Sequence, residues 1–566
     1  MRRQPILLLF LLICAITGNA QQVENMLHAR PATLSGGINA TAIFYHARGI
    51  PNRYLPFNYV LSGSPVLSIY GMQIPFSFVI GKQQSSFTQP FNQFGLSPTY
   101  KWITVHAGYR SLTFSPYTLA GHTFLGAGIE LNPGKFRFAA IYGQFNKATA
   151  LDTAQSLFFS NFSYKRMGMS MRVGYGNENS YFDLIALKAK DRPESLKISK
   201  GLADSSGITP AENTIAGYAF RLSIWRQHLT LESNGAVSLY TNDLNAPTIL
   251  DSSYDKNVKD LNKLAHIRTS SEAYSAIDAA IRYKTKDFSV RLQYRHVDPG
   301  FTSMGAYFLN NDLENYTIAP AFVVWKHRIR FSGSLGFQRD DLSKNKRARA
   351  NKVIGSANLS ADLNDRFGID LSYSNYSVNQ TVKTIRFADS LKIVQSSSQL
   401  SFTPRYTIIG TTLSHTFLFS ANLGKAKELN PAREDSINGD INTDNYILNY
   451  QLGFIPQQAS ANLSFNHTRM KSQILTDGND GVTLGLAKSW LKNKLNLSAS
   501  GGWLLSKRNE EKGRIITGNF QCRYNFIGRH IIRVVAYYTD SRPDIPTPVY
   551  PAFSELRAEL GYGFSF

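Results

Sequence analysis

Apolar residues return at every second position along most of this chain. The stretch 556–566 shows it most cleanly. Leu556, Ala558, Leu560, Tyr562, Phe564 and Phe566 alternate there with Arg557, Glu559, Gly561, Gly563 and Ser565. Successive side chains of a strand point to opposite faces, so such a stretch has one apolar and one polar face. The same period runs through Phe57, Tyr59, Leu61, Leu67 and Ile69, through Ala216, Tyr218, Phe220, Leu222 and Ile224, and through Tyr446, Leu448, Tyr450, Leu452 and Phe454. From about residue 33 onward the pattern predicts strands almost without exception.

The strands come in pairs. Tight turns are expected at Asn132-Pro133-Gly134-Lys135, Gln227-His228, Lys326-His327, Asn364-Asp365, Gly410, Pro456-Gln457 and Ile527-Gly528. Longer polar connections are expected at 82–96, 193–213, 243–270, 375–392 and 540–551. Lys344 to Arg349, the densest basic cluster, reads as an exposed loop. Short turns at one end and long loops at the other are the pattern of a transmembrane barrel. A propeller or sandwich would show blade repeats or denser turns, and none is seen.

Counting from the strand at 124–132 to the end gives 21 strands. A single-chain barrel closes on an even number, so an odd number must precede residue 124. The expectation is an all-β, transmembrane, antiparallel up-and-down barrel of about 22–24 strands with both termini periplasmic, spanning 33–566.

A strand of this kind ending in Phe566 resembles the C-terminal signal of Gram-negative outer-membrane β-barrels. That resemblance implies that Leu560, Tyr562, Phe564 and Phe566 are read by the barrel assembly machinery, and that the partners include outer-membrane lipid. The N-terminus agrees. Arg2 and Arg3 precede the apolar run Ile6 to Ile16, and Gly18-Asn19-Ala20 offers a cleavage site, so 1–20 reads as a signal peptide. Ile13 before Cys14 does not fit a lipoprotein box. Residues 21–32 are a short polar segment, too small for the plug of a TonB-dependent receptor.

Composition adds little against this and something for it. Phe (36), Tyr (29) and Gly (41) are abundant, yet mean hydropathy is slightly negative, as expected when apolar residues occupy alternate positions. Loss of Arg2 and Arg3 takes the formal charge from +22 to +20. In an exported chain that points to anionic solutes or lipid head groups, and no basic run with interleaved aromatics supports nucleic acid. Cys522 is alone after cleavage and lies on the apolar parity of its strand, where it reads as a small hydrophobe.

The polar parity gives the expected lumen wall: Arg282, Arg291, Arg295, Arg330, Arg405, Arg523, Arg533 and Arg557, with fewer acids such as Asp278, Asp362, Asp370, Glu555 and Glu559. Arginines along a pore favour anions. The same arginines can also simply pair with acids on neighbouring strands. Residues 114–123, with Tyr117 and His122, break the alternation, and they resemble the constriction segments of porin-type and polysaccharide-export barrels. They are read as a loop folded into the lumen or as an ordinary outer loop. The loops 243–270 and 375–392 are further candidates for narrowing.

No enzyme is expected. Histidines are scattered singly, and no Gly-x-Ser-x-Gly elbow or phosphate loop occurs. Asp440, Asn442 and Asp444 have calcium-loop spacing, but Asn445 and Gln451 stand where glycine and glutamate are needed, so a polar loop is expected instead. No metal or cofactor is expected. Two functions stay open: a porin-like channel for small polar, anionic or saccharide solutes, and a barrel of a secretion or polymer-export assembly, or a structural or adhesive surface protein, whose lumen is filled by a periplasmic or surface partner.

Overall fold

The computed structural model describes residues 32–70, 72–81, 93–148, 163–196, 209–248, 267–339, 342, 351–380, 393–428, 440–548 and 550–566. The predicted signal peptide, the loop 344–349, residues 249–266 of 243–270 and residues 381–392 of 375–392 lie outside these residues.

The described chain is a closed antiparallel barrel of 26 strands. Each strand pairs with its sequence neighbours, from Lys165–Gly176 on Tyr181–Arg192 to His530–Pro543 on Phe553–Ser565. The barrel is sealed where the last strand meets the first, in unbroken register from Gly37↔Ser565 to Arg48↔Ser554. Closure leaves no sheet edge whose amides and carbonyls would go unpaired in hydrocarbon.

The count exceeds the expected 22–24 because five strands, not one or three, precede Ala120–Leu131. The fourth of them is built from Gln93–Leu96 and Thr99–Tyr100, within and just beyond the stretch read as the loop 82–96. Pro98 interrupts it, and a proline cannot donate to the ladder, so each half is too short to show a period. Two other early strands are interrupted likewise, at Gly36 and at Ser64-Pro65. Gly36 has φ +113, and a Cβ there would lie 2.4 Å from the Ser64 carbonyl oxygen, which only glycine avoids.

One rim carries turns of two to four residues, among them 132–135, 225–228, 325–328, 491–494 and 527–529. Most connections at the other rim are longer. Both described ends lie at the short-turn rim, where the Phe566 amide donates to the Gly36 carbonyl (3.1 Å) and the Ser565 amide to that of Arg529 (3.0 Å).

The apolar parity faces outward. Leu184, Val237 and Leu335 are each more than half exposed although apolar. Such a continuous apolar band is stable only against lipid, which places this barrel in the outer membrane. Trp102, Trp325, Trp490, Tyr538 and Tyr562 are exposed near strand ends, as an interfacial girdle requires.

Candidate functional site

The inner face is divided into two unlike sectors. Over Ala120–Leu131 to Leu313–Val324 the lumen side holds a dry core. Phe124, Ile141, Phe145, Ile185, Leu187, Ile215 and Ala236 are buried together with Phe114, Tyr117 and Leu119 of the connection 114–119 and with Phe301 and Met304 of the connection 298–312. Both connections therefore fold into the barrel and pack on its wall.

Polar contacts fix them there. The Ser303 hydroxyl donates to the Thr118 carbonyl (2.6 Å), and the Ala120 amide donates to the Gly305 carbonyl (2.9 Å). On the wall, fully buried Asn213 accepts from the Met304 amide (3.0 Å) and donates to Ser238 Oγ (2.8 Å), which donates to the Thr302 carbonyl (2.7 Å). A buried polar network of this kind is stable only when its members are satisfied. Gly217 and Gly305 allow the close approach. A Cβ on Gly217 would lie 2.9 Å from Thr118 Cγ2, and one on Gly305 would lie 2.4 Å from Leu187 Cδ1.

The inward segment is shorter than the expected 114–123, because strand pairing already resumes at Ala120. His122 thus stands on a strand. Its ring stacks between Tyr307 (centroids 4.1 Å apart) and Phe145 (5.1 Å), pinning the second inward connection. Tyr117 is buried on the first, in contact with Phe301 (5.9 Å, edge to face). Burial pushes its phenol up to about 12, with the Arg295 guanidinium opposing that shift.

The connection 298–312 was not anticipated. A signal existed: Phe301, Met304, Tyr307, Phe308 and Leu309 are too apolar for an ordinary outer loop. The wall carried a second, because Leu184-Ile185-Ala186-Leu187 is apolar on both parities. Of the loops proposed to narrow the lumen, 249–266 and 381–392 lie outside the described residues.

The other sector, from Ile329–Arg339 to Leu495–Arg508, presents small neutral polar side chains. Ser334 bonds Ser356 (3.1 Å), Thr403 bonds Ser420 (3.3 Å), and Ser489 donates to Asn496 (2.6 Å). Asn449 donates to Ser464 (2.6 Å) and Asn466 to Thr483 (3.2 Å). These are hydrogen-bonding groups without charge or bulk.

Charge gathers near the short-turn rim. Arg137, Arg172, Arg221, Arg282, Arg291, Arg330, Arg405, Arg523 and Arg533 all lie on lumen positions within a turn-proximal segment of their strands. They outnumber Glu130, Asp183, Glu232, Asp362 and Asp370 at that level. Of the arginines expected on the wall, Arg291 pairs with Glu232 (3.1 Å) and Arg295 with Asp278 (3.0 Å). Arg330 (3.1 Å) and Arg405 (3.0 Å) share Asp362. Arg533 (3.5 Å) and Arg557 (2.6 Å) share Glu559. Arg523 donates to neutral Asn525 (3.3 Å), and Arg282 stands directly opposite Arg291. Arg295 and Arg557 sit deeper in the barrel than the rest.

The calcium-like spacing at Asp440 does not form a loop. Asn442 and Asp444 belong to the strand Ile441–Phe454, where residues two apart share a face but are held roughly 6.6 Å apart by the extended backbone, so they cannot wrap around one ion. Among the described residues no group of three His, Cys, Asp or Glu could hold a metal.

No family model matches this chain, and no curated protein matches it. Solved barrels resemble it in outline. They include the translocation pore of the P pilus usher PapC (9% identity, 94% of this chain and 99% of that one, TM-score 0.39). A second is the copper transporter OprC (8% identity, 95% and 81%, TM-score 0.40), and a third is OccAB3 of Acinetobacter baumannii (9% identity, 63% and 93%, TM-score 0.31). At these identities and scores the likeness carries no functional argument, which rests on the barrel itself.

Proposed function

We propose that this outer-membrane barrel is a passive channel for small hydrophilic solutes bearing an anionic group. One observation carries the reading. The inward connections are bound to one sector of the wall, and the opposite sector is lined by small neutral hydrogen-bonding side chains leading to a mouth rich in arginine. A hydroxylated solute exchanges water for Ser, Thr and Asn along such a wall at little net cost. The arginines at the mouth raise the local concentration of anions.

In this reading the short-turn rim faces the periplasm, so both described ends lie there. The final strand, with Leu560, Tyr562, Phe564 and Phe566, is then the segment presented to the assembly machinery.

The test is conductance of the purified protein in planar bilayers under a salt gradient. The expected result is a steady conductance with a reversal potential on the anion-selective side. A silent bilayer from correctly folded protein would overturn the reading and favour a barrel whose lumen is occupied by a partner protein.

A further inference from the structure

Three carboxylates of the lumen wall each hold two arginines. Glu232 lies between Arg221 (3.4 Å) and Arg291 (3.1 Å), one carboxylate oxygen to each. Asp362 divides its two oxygens between Arg405 and Arg330 in the same way. Glu559 does so between Arg557 and Arg533. In each case one carboxylate offsets two guanidinium groups.

Arg523 and Arg533 face each other without such a shared carboxylate. They are directly opposite each other on the paired strands Glu511–Phe526 and His530–Pro543. Like charges so placed repel. No carboxylate of the described residues stands between them. The bond of Arg523 goes to neutral Asn525, and the only acid of Arg533, Glu559, is held more closely by Arg557. The two arginines border a cavity of about 770 Å³ whose lumen-side lining includes Gln521, Asn496, Ser498 and Ser489. The cavity is thus polar and cationic.

We infer that Arg523 and Arg533 form a binding site for a phosphate or sulfate group. The group takes the place that a carboxylate takes in the other pairs, one oxygen to each guanidinium, with neutral donors of the cavity beside it. Guanidinium forks match such oxyanions, and these charge-assisted bonds are the stronger class. The inference deepens the channel reading by naming the charged group of the solute, and it rests on that reading only for the solute's path.

The test is calorimetric titration of the full-length protein in detergent, at low ionic strength, with inorganic phosphate and separately with glucose 6-phosphate. Saturable binding of one phosphate per barrel is expected, weakened about tenfold or more by Arg523→Gln or Arg533→Gln and less by Arg523→Lys. Retained heat-dependent gel mobility shows that each variant is folded. Tighter binding of glucose 6-phosphate assigns the site to a solute-borne group, and equal binding assigns it to the free ion. Absence of saturable binding by the wild type, or unchanged binding by Arg523→Gln, would overturn the site. A barrel that conducts without binding phosphate retains the channel reading and loses this one. A barrel that binds without conducting does the reverse.

Discussion

The Ser303 hydroxyl donates a 2.6 Å hydrogen bond to the carbonyl of Thr118, a residue 185 positions earlier. That contact joins the two inward connections to each other, and Asn213 joins one of them to the wall. The constriction is therefore a single packed body. Asn213→Ala leaves the Met304 amide and Ser238 without their partner, at about 1–3 kcal/mol. The barrel should still assemble, because its strand pairing is untouched, but open-channel current noise should rise. Noise equal to the wild type would show that the network does not hold the constriction in place.

Gly217 tests the same body by volume. A Val side chain there cannot coexist with Thr118 Cγ2 at its present position, and overpacking of this kind costs about 1–3 kcal/mol. Displacement of 114–119 from the wall should change the unitary conductance of Gly217→Val. The parallel variant Gly501→Val is the control, since Gly501 is exposed on the outer face and its nearest Cβ contact is the Thr517 carbonyl oxygen at 3.9 Å.

Asp298 gives the second connection an acid limit. Burial alone would raise its pKa. Hydrogen bonds from the Ser275 amide (2.6 Å) and hydroxyl (2.8 Å), and from His296, outweigh burial and hold the carboxyl below the usual carboxylate range. A depressed folded-state pKa adds stability that is present above the unfolded value of about 3.9 and is lost as pH falls through the folded one. Amide protection factors over 298–312, taken relative to the intrinsic exchange rate at each pH, should fall below about pH 4 in the wild type. In Asp298→Asn they should already be low at neutral pH and change little on acidification.

Asp362 offsets two arginines at once. Asp362→Asn should free Arg330 and Arg405 and make the mouth more cationic, shifting the reversal potential further toward anion selectivity. Raising the salt concentration should shrink that shift, because mobile ions screen the added charge. A reversal potential insensitive to this substitution would remove the mouth arginines from any account of selectivity.

Leu335 lies midway along Ile329–Arg339 on the outer face and is 59% exposed. Leu335→Arg should destabilise the barrel in lipid by about 2–4 kcal/mol, the cost of a cation near the bilayer midplane. Urea unfolding in vesicles measures it. Ser334→Arg, one position along and facing the lumen, should cost far less.

Much of the barrel was legible in the sequence because its main determinant is local. Parity along each strand decides which side chains meet lipid, and it assigned the outer face and the closing pair of strands. The odd number of strands before residue 124 also followed. Their number did not, because Pro98 splits one early strand into pieces too short to show alternation. The inward body was half legible. Residues 114–119 betrayed themselves by breaking the period, whereas 298–312 merely separates two well-patterned strands. Only its apolar content, read together with the double-sided apolar strands it packs on, reveals its direction. The pairing of the wall arginines was not readable at all. Parity puts an arginine in the lumen, but register and depth decide whether an acid reaches it.

The one-sided core also has a mechanical consequence. A strand bonded only to its two neighbours resists bending by hydrogen bonds alone, whereas one that is also glued to a packed interior resists as part of a solid. The sector carrying Phe124, Leu187 and Ile215 is therefore the stiff side of this barrel. Among the described residues, the serine- and asparagine-lined side is a single layer of sheet. Any widening or flattening of the bore is therefore concentrated in that layer, and the packed body keeps its shape throughout.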